Sequence, residues 1–327
     1  MAKLWAPLIV VALVLGACTD SPSHSNPLDP ASPDYSINGR MAGRIMTFYQ
    51  PYQPIAQATI ELQPNGLVAR SGADGRFVFA DLAPDSYFVS IVQDGFSSLM
   101  DTLVIAPRGE VIQDFHLNGL PFVQGSRIIS SKVATREAPS PLFFLDIAAE
   151  LQDPDGANDI CRVVLNIPMQ SFRDTLAPAI GVGQWQRTFI PEELASLDMG
   201  KLVGAPLQFI VYDIPGAEVI SQPFFLTRLI SEEAETIEPI NGNVALSAPT
   251  FRWQLPNIAF SYTQRLEIYR LDAGFPTLVT AISNIQSDVK SLPYLGRLSA
   301  GSYFWTLRII DDFGNSSRSK EASFVVE

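Results

Sequence analysis

From Asn38 onward the chain is a succession of short β-like runs separated by turns, and it sustains no long apolar period of 3.6. Tyr87, Val89 and Ile91 alternate with their neighbours, as do Cys161, Val163 and Leu165, then Phe209, Val211 and Asp213, then Tyr303, Trp305, Leu307 and Ile309. In an extended segment such alternation puts each set on one face, which a helix cannot do. The expected fold is therefore all-β. At 327 residues, 47% apolar and only 17% charged, the chain can fill several cores, and this composition excludes global disorder.

The first 37 residues read differently. Lys3 supplies one positive charge, and Leu4 to Ala17 follow as 14 residues without a charge. A bilayer span needs about 20, so this run has the length of a signal-peptide core. It ends in Leu15-Gly16-Ala17-Cys18, which resembles the lipobox of bacterial lipoproteins. The resemblance implies that residues 1–17 are removed, that the Cys18 thiol carries diacylglycerol, and that a further acyl chain is often added to the new N-terminus. Two or more chains turn marginal membrane affinity into stable anchoring. In the family's sorting rule an aspartate directly after the cysteine retains the protein at the inner membrane. Here Thr19 stands there, which favours the outer membrane in a cell that has one. Residues 18–37 form the anchor and a tether. Thr19 to Ser36 holds four prolines, five serines and three aspartates, with almost nothing to bury. Extended at about 3.1 to 3.3 Å per residue, it reaches roughly 55 to 60 Å.

Three sandwich domains are expected beyond the tether, at residues 38–119, 120–230 and 231–327. The first carries Pro54 to Leu62, Ser71 to Phe79 with Asp74-Gly75 as a tight hairpin turn, and Asp81 to Ile91. This succession resembles the carboxypeptidase regulatory-like domain, a transthyretin-like sandwich. Enzymes of that fold need several histidines, whereas this segment offers only His116, in a strand. The second domain, with strands at Ile160 to Ile167 and Leu207 to Asp213, is similar to an immunoglobulin-like sandwich at fold level. Its Cys161 has no disulfide partner once Cys18 is lipidated, and reads as a small buried hydrophobe. The third resembles a fibronectin type III domain through Pro249-Thr250-Phe251-Arg252-Trp253 and Gly301-Ser302-Tyr303-Phe304-Trp305. Trp253 should fill its core, and Tyr303 sits where that family places a tyrosine corner. Contacts between the domains are expected to be modest.

Chemistry is scarce. The net charge of −12 would repel phosphate backbones, so nucleic acid is not an expected partner. Two histidines and two cysteines cannot build His/Cys metal clusters or most His-dependent catalysis. Nucleophile-elbow, P-loop and His-Glu-x-x-His motifs are absent, and the acid pairs Asp153/Asp155 and Asp311/Asp312 lie in turn sequences. The chain thus reads as a non-catalytic envelope lipoprotein that binds or spaces a protein partner. A glycan-binding alternative would use Tyr49, Tyr52 and Phe96, and a hydrolase alternative would need a deep pocket with converging acids. Calcium is the single cofactor suggested. Asp153, Asp155, Asn158 and Asp159 offer carboxylate and carbonyl oxygens within seven residues, and Gly156 lets the backbone bend around an ion.

The lipobox yields a first prediction. Mass spectrometry of the native protein should show Cys18 as the mature N-terminus carrying lipid, and Cys18→Ser should release the protein from membranes. An intact leader peptide or an unmodified cysteine would refute the anchor.

Overall fold

A computed structural model describes residues 24–32 and 34–327. Cys18 and the leader therefore lie outside the described residues. Within them the chain is all-β, with strands joined by turns and three single-turn 3-10 helices. The described chain divides into two compact units, one built from residues up to Ile45 with Pro54–Ile91 and Leu99–Phe115, the other from Met46–Gln53, Val92–Ser98 and His116–Glu327.

In the first unit the strand Gly39–Thr47 lies between Arg76–Leu82 and Glu110–Ile112, while a second sheet runs in the order Leu67–Arg70, Thr59–Gln63, Asp85–Val92, Leu99–Ile105. The alternation read from the sequence decides which side chains are inside. Phe77 and Phe79, and Tyr87, Val89 and Ile91, are buried with Met41, Ile45, Ile60 and Leu62, while Val78 and Phe88 face solvent. The Asp74-Gly75 turn forms, but it is not a hairpin. Leu67–Arg70 and Arg76–Leu82 belong to different sheets, so this turn carries the chain across the sandwich. Gly75 is required there. Its φ is +75°, and a Cβ would come within 2.5 Å of the Ile45 carbonyl oxygen, while the Ile45 amide donates to the Gly75 carbonyl at 2.8 Å. Tyr87 donates to the Ala83 carbonyl at 3.0 Å, a tie to the backbone four residues upstream.

The second unit holds two apolar clusters. One gathers Leu145, Ile147, Val163, Leu165, Phe189, Phe209 and Val211. The other gathers Phe251, Trp253, Leu266, Ile268, Tyr303, Trp305, Leu307, Ile309 and Phe324. The indole of Trp253 donates to Gln264 at 2.7 Å and that of Trp305 to the Pro239 carbonyl at 2.8 Å, so both bury their rings without orphaning an N–H. Tyr303 donates to the Ser299 carbonyl at 2.8 Å, in the manner of a tyrosine corner.

Cys161 departs from the sequence reading. It is exposed, because a β-bulge between Ile160 and Arg162 inserts one residue against the Tyr212–Asp213 pair and shifts the alternation by one. Val163 and Leu165 keep the inward face, and the Cys161 thiol rests against the Tyr212 and Asp213 carbonyls at 3.4 and 3.2 Å.

The junction between the two clusters is closer than the sequence suggests. One sheet runs through both, because Ser316–Arg318 pairs in parallel with Ser131–Val133 of the strand Phe122–Val133. Beside this seam Asn315, fully buried, accepts the Ser130 amide at 2.9 Å and donates to Asp311 at 3.1 Å. Asp311 also accepts the Arg228 guanidinium at 2.9 Å and the amides of Phe313 and Asn315. It is therefore a buried ionic anchor and not the solvated turn acid that its sequence suggests.

A second prediction follows from this anchor. Arg228→Ala should cost about 3 kcal/mol, the low end for breaking a buried pair because two amide donors remain on Asp311. Asn315→Ala should cost about 1 to 3 kcal/mol by orphaning the Ser130 amide. Urea unfolding of the full chain checks both, and losses below about 0.5 kcal/mol would show the junction to be incidental.

Candidate metal centre

The Leu142–Gln152 strand delivers the chain into Asp153-Pro154-Asp155-Gly156, and a 3-10 turn at Ala157–Asp159 leads into the strand Ile160–Ile167 of the facing sheet. The turn is tightly specified. The Asp155 amide donates to Asp153 Oδ1 at 2.8 Å, the Gly156 amide to the Asp153 carbonyl at 3.0 Å, and the Asp159 amide to the Gly156 carbonyl at 2.9 Å. Gly156 takes φ +110°, a conformation closed to most side chains. The bulge at Cys161 and a bond from the Ile214 amide to the Asp159 carbonyl, 2.9 Å, then bring the end of the strand Gln208–Asp213 beside the turn.

Three carboxylates meet there. Asp153, Asp159 and Asp213 each place an oxygen within 4.8 Å of the others. Asp159 and Asp213 are only 4% and 3% exposed. Asp213 is well supplied with donors, taking the Gly216 amide at 2.8 Å and the Asn118 side-chain amide at 2.7 Å. Asp159 Oδ1 accepts the Tyr49 hydroxyl at 2.7 Å. Asp159 Oδ2, Asp153 Oδ2 and Asn118 Oδ1 are buried without a hydrogen-bond partner. Among the described residues no lysine or arginine forms an ion pair with any of these acids.

The crowding of buried acids has an electrostatic consequence. Burial, with added repulsion from Asp159, Asp155 and Asp213, pushes the Asp153 carboxyl up to about 6 against the pull of the Asp155 amide. Burial also raises Asp159, opposed by the Tyr49 bond and reinforced by Asp213 and Asp155. The hydrogen bond to Asp159 holds the Tyr49 phenol up at about 12.

Of the four oxygen donors expected from the sequence, the structure brings Asp153 and Asp159 together. Asp155 is turned to another task, accepting the Gly119 amide at 2.5 Å. Asn158 is exposed. Sequence reasoning missed Asp213, Asn118 and Tyr49, all remote in the chain. Only Asp213 left a signal, as an acid on the inward face of an alternating apolar strand. Of the aromatics expected to serve a glycan, Tyr49 and Tyr52 are exposed and Phe96 is half-buried. Tyr52 packs against the His116 ring with centroids 4.4 Å apart, and His116 Nδ1 lies 3.0 Å from the Thr47 carbonyl. In the first unit a shallow groove is lined by Arg40, Arg44, Arg70 and Arg76, of which Arg40 and Arg76 are paired with Glu110 and Asp74.

No protein-family model matches the chain, and no curated protein matches it. Solved structures that resemble it are β-sandwich proteins. They include the major pilin subunit BcpA of Bacillus cereus, 9% identical, covering 89% of this chain and 96% of that one with a TM-score of 0.31. The fibronectin(III)-like modules of Clostridium thermocellum CbhA are 11% identical, covering 63% and 93% with a TM-score of 0.30. The FN1–FN3 domains of chicken CNTN1 are 11% identical, covering 89% and 96% with a TM-score of 0.28. Scores of this size carry no argument about this chain.

The acid cluster gives a third prediction. A carboxyl whose folded pKa stands near 6, above its unfolded value near 3.8, binds more protons in the native state, so its contribution to stability falls as pH rises through that window. With chelator present, Asp153→Asn should therefore raise the melting temperature at pH 7.5 and change it little at pH 4. Equal effects at both values would remove the electrostatic explanation.

Proposed function

We propose that the chain is a non-catalytic, membrane-anchored lipoprotein of the cell envelope that serves as a structural or protein-binding module. The anchor is Cys18 at the end of Leu15-Gly16-Ala17, and Thr19 behind it favours the outer membrane. The observation that carries the protein-binding reading is the strand Phe275–Ile285, at the edge of the continuous sheet and paired on one side only, with Tyr262–Asp272. Its 11 residues include no charge, and Phe275, Leu278 and Val279 are exposed. Sheet edges are usually blunted by charge or cover, so an uncharged edge with apolar side chains suits a partner that adds a strand of its own. Pro276 and two irregularities in the ladder confine the pairable stretch, which limits indiscriminate association.

A second reading rests on the exposed aromatics of the segment Met46–Gln53. Phe48 stands edge-on to Tyr49 with centroids 5.1 Å apart, and Tyr52 lies beside His116. Flat apolar rings with polar neighbours suit the face of a sugar, so this cluster is the place where a glycan would bind.

Photo-crosslinking in intact cells separates the two. A photoreactive residue at Leu278 should yield a discrete protein adduct, which Val279→Lys should weaken without lowering the melting temperature. If position 278 yields none while envelope glycan retards the native protein and not Tyr52→Ala in affinity electrophoresis, the glycan reading replaces the first.

A further inference from the structure

We infer that Asp153, Asp159 and Asp213 form a Ca²⁺ site that fastens the turn at residues 153–159 to the end of the strand Gln208–Asp213. The first support is geometric. Calcium bonds oxygen at 2.3 to 2.6 Å, so two ligands on opposite sides of one ion stand about 4.6 to 5.2 Å apart. Three oxygens that all lie within 4.8 Å of one another can share one ion of that size. Magnesium bonds at 2.0 to 2.1 Å in a strict octahedron and keeps most of its own water, so a set of three protein carboxylates suits calcium better. The donor set contains only oxygen, which excludes the softer metals that seek imidazole or thiolate.

The second support is independent of the clustering. Asp159 is 4% exposed, and its Oδ2 is buried with no partner, in a cluster where Asp153 Oδ2 is equally unpartnered. A buried carboxylate oxygen left without donor or counter-charge is costly, and native structures supply one or the other. The one hydrogen bond that the fold directs at the Asp159 carboxylate goes to Oδ1, which leaves Oδ2 for something that is not part of the chain. A divalent cation meets that need at both oxygens together.

Asn118 completes the set as a neutral donor. Its side chain already touches Asp213, and its own Oδ1 is buried and unsatisfied. Turning that amide by 180° exchanges nitrogen for oxygen against the same carboxylate, an interchange that a bound cation would favour. Water fills the remaining positions of the six to eight that calcium takes. Tyr49 is a positioning residue, since its hydroxyl fixes the Asp159 carboxylate through Oδ1.

The test uses the full chain in detergent. Calorimetric titration with CaCl₂ after chelation should give a saturable heat with one ion per chain, and calcium at a hundredfold excess over the dissociation constant should raise the melting temperature by roughly 5 to 10 °C. The same concentration of MgCl₂ should give less than a quarter of that shift. Asp159→Asn and Asp213→Asn should abolish it, while Asp155→Asn should retain it, because Asp155 serves Gly119. A ligand variant that merely fails to fold is recognised by its melting in chelator. Asp159→Asn should there equal or exceed the parent, since a buried charge has gone. A parent that gives no heat and no shift at 5 mM calcium overturns the site, as does an Asp159→Asn protein that keeps the full shift. Equal responses to magnesium and calcium would overturn the assignment to calcium.

Discussion

A carboxylate taken out of water must be met by opposite charge, by a set of N–H donors or by a proton, and the second unit depends on how it meets that demand. Asp311 is satisfied by the Arg228 guanidinium, by the Phe313 and Asn315 amides and by the Asn315 side chain. These groups come from both sides of the junction. Arg228 belongs to the segment leading out of the first apolar cluster, whereas Asn315 sits in the turn after the strand Gly301–Asp311 and reaches back to Ser130. The turn that carries Asp311 supplies three of these donor groups, and the other side of the junction supplies the charge of Arg228.

That dependence explains why one sheet runs through two apolar clusters that do not merge. The seam between Ser131–Val133 and Ser316–Arg318 is dressed with polar ties. Ser131 meets Ser316, Lys132 donates to the Ser231 carbonyl, and Arg318 reaches the Ala134 carbonyl. Apolar contacts alone would let the sandwiches slide by a residue, because they are non-directional. Hydrogen bonds fix one register, and buried polar networks specify arrangement even where their net stabilisation is small. The two sandwiches of residues 120–327 thus share one continuous sheet and one compact unit, and are not two beads on a linker.

The sequence made legible whatever depends on neighbours two residues away. Tyr87, Val89 and Ile91, and Tyr303, Trp305, Leu307 and Ile309, face inward as their alternation requires. It was less legible wherever the outcome depends on pairing. Asp74-Gly75 has the residues of a hairpin turn, but the partner of each flanking strand is decided by distant sequence, and the turn crosses between sheets. Cys161 continues an alternating pattern on paper, yet an inserted residue at the bulge sends it outward. Two of the three acids of the cluster were visible in the Asp153 to Asp159 loop. Asp213 arrives 54 residues after Asp159, and nothing local tells that it will be placed there. Asp155 looks equivalent to Asp153 in sequence, but the Asx turn directs its carboxylate to Gly119.

Asp311 and the cluster of Asp153, Asp159 and Asp213 pose the same electrostatic problem, which the chain answers with a counter-charge at Asp311 and only in part, through neutral donors, at the cluster. Arginine was available as a solution, since Arg162 lies on the strand beside the cluster. Its guanidinium instead stacks on the Tyr212 ring at 4.0 Å. A single Asp-to-Asn change at Asp153 would keep the turn, because an amide oxygen can accept the Asp155 amide as well as a carboxylate does. The acids therefore are not what the turn itself requires, and their mutual repulsion works against the folded state. Features that lower stability while the local structure permits a cheaper residue are where binding sites are expected, since strain and unpaired charge persist when a ligand relieves them. For the cluster of Asp153, Asp159 and Asp213 that relief would have to come from outside the chain, because Asp159 Oδ2 and Asp153 Oδ2 find no partner within it.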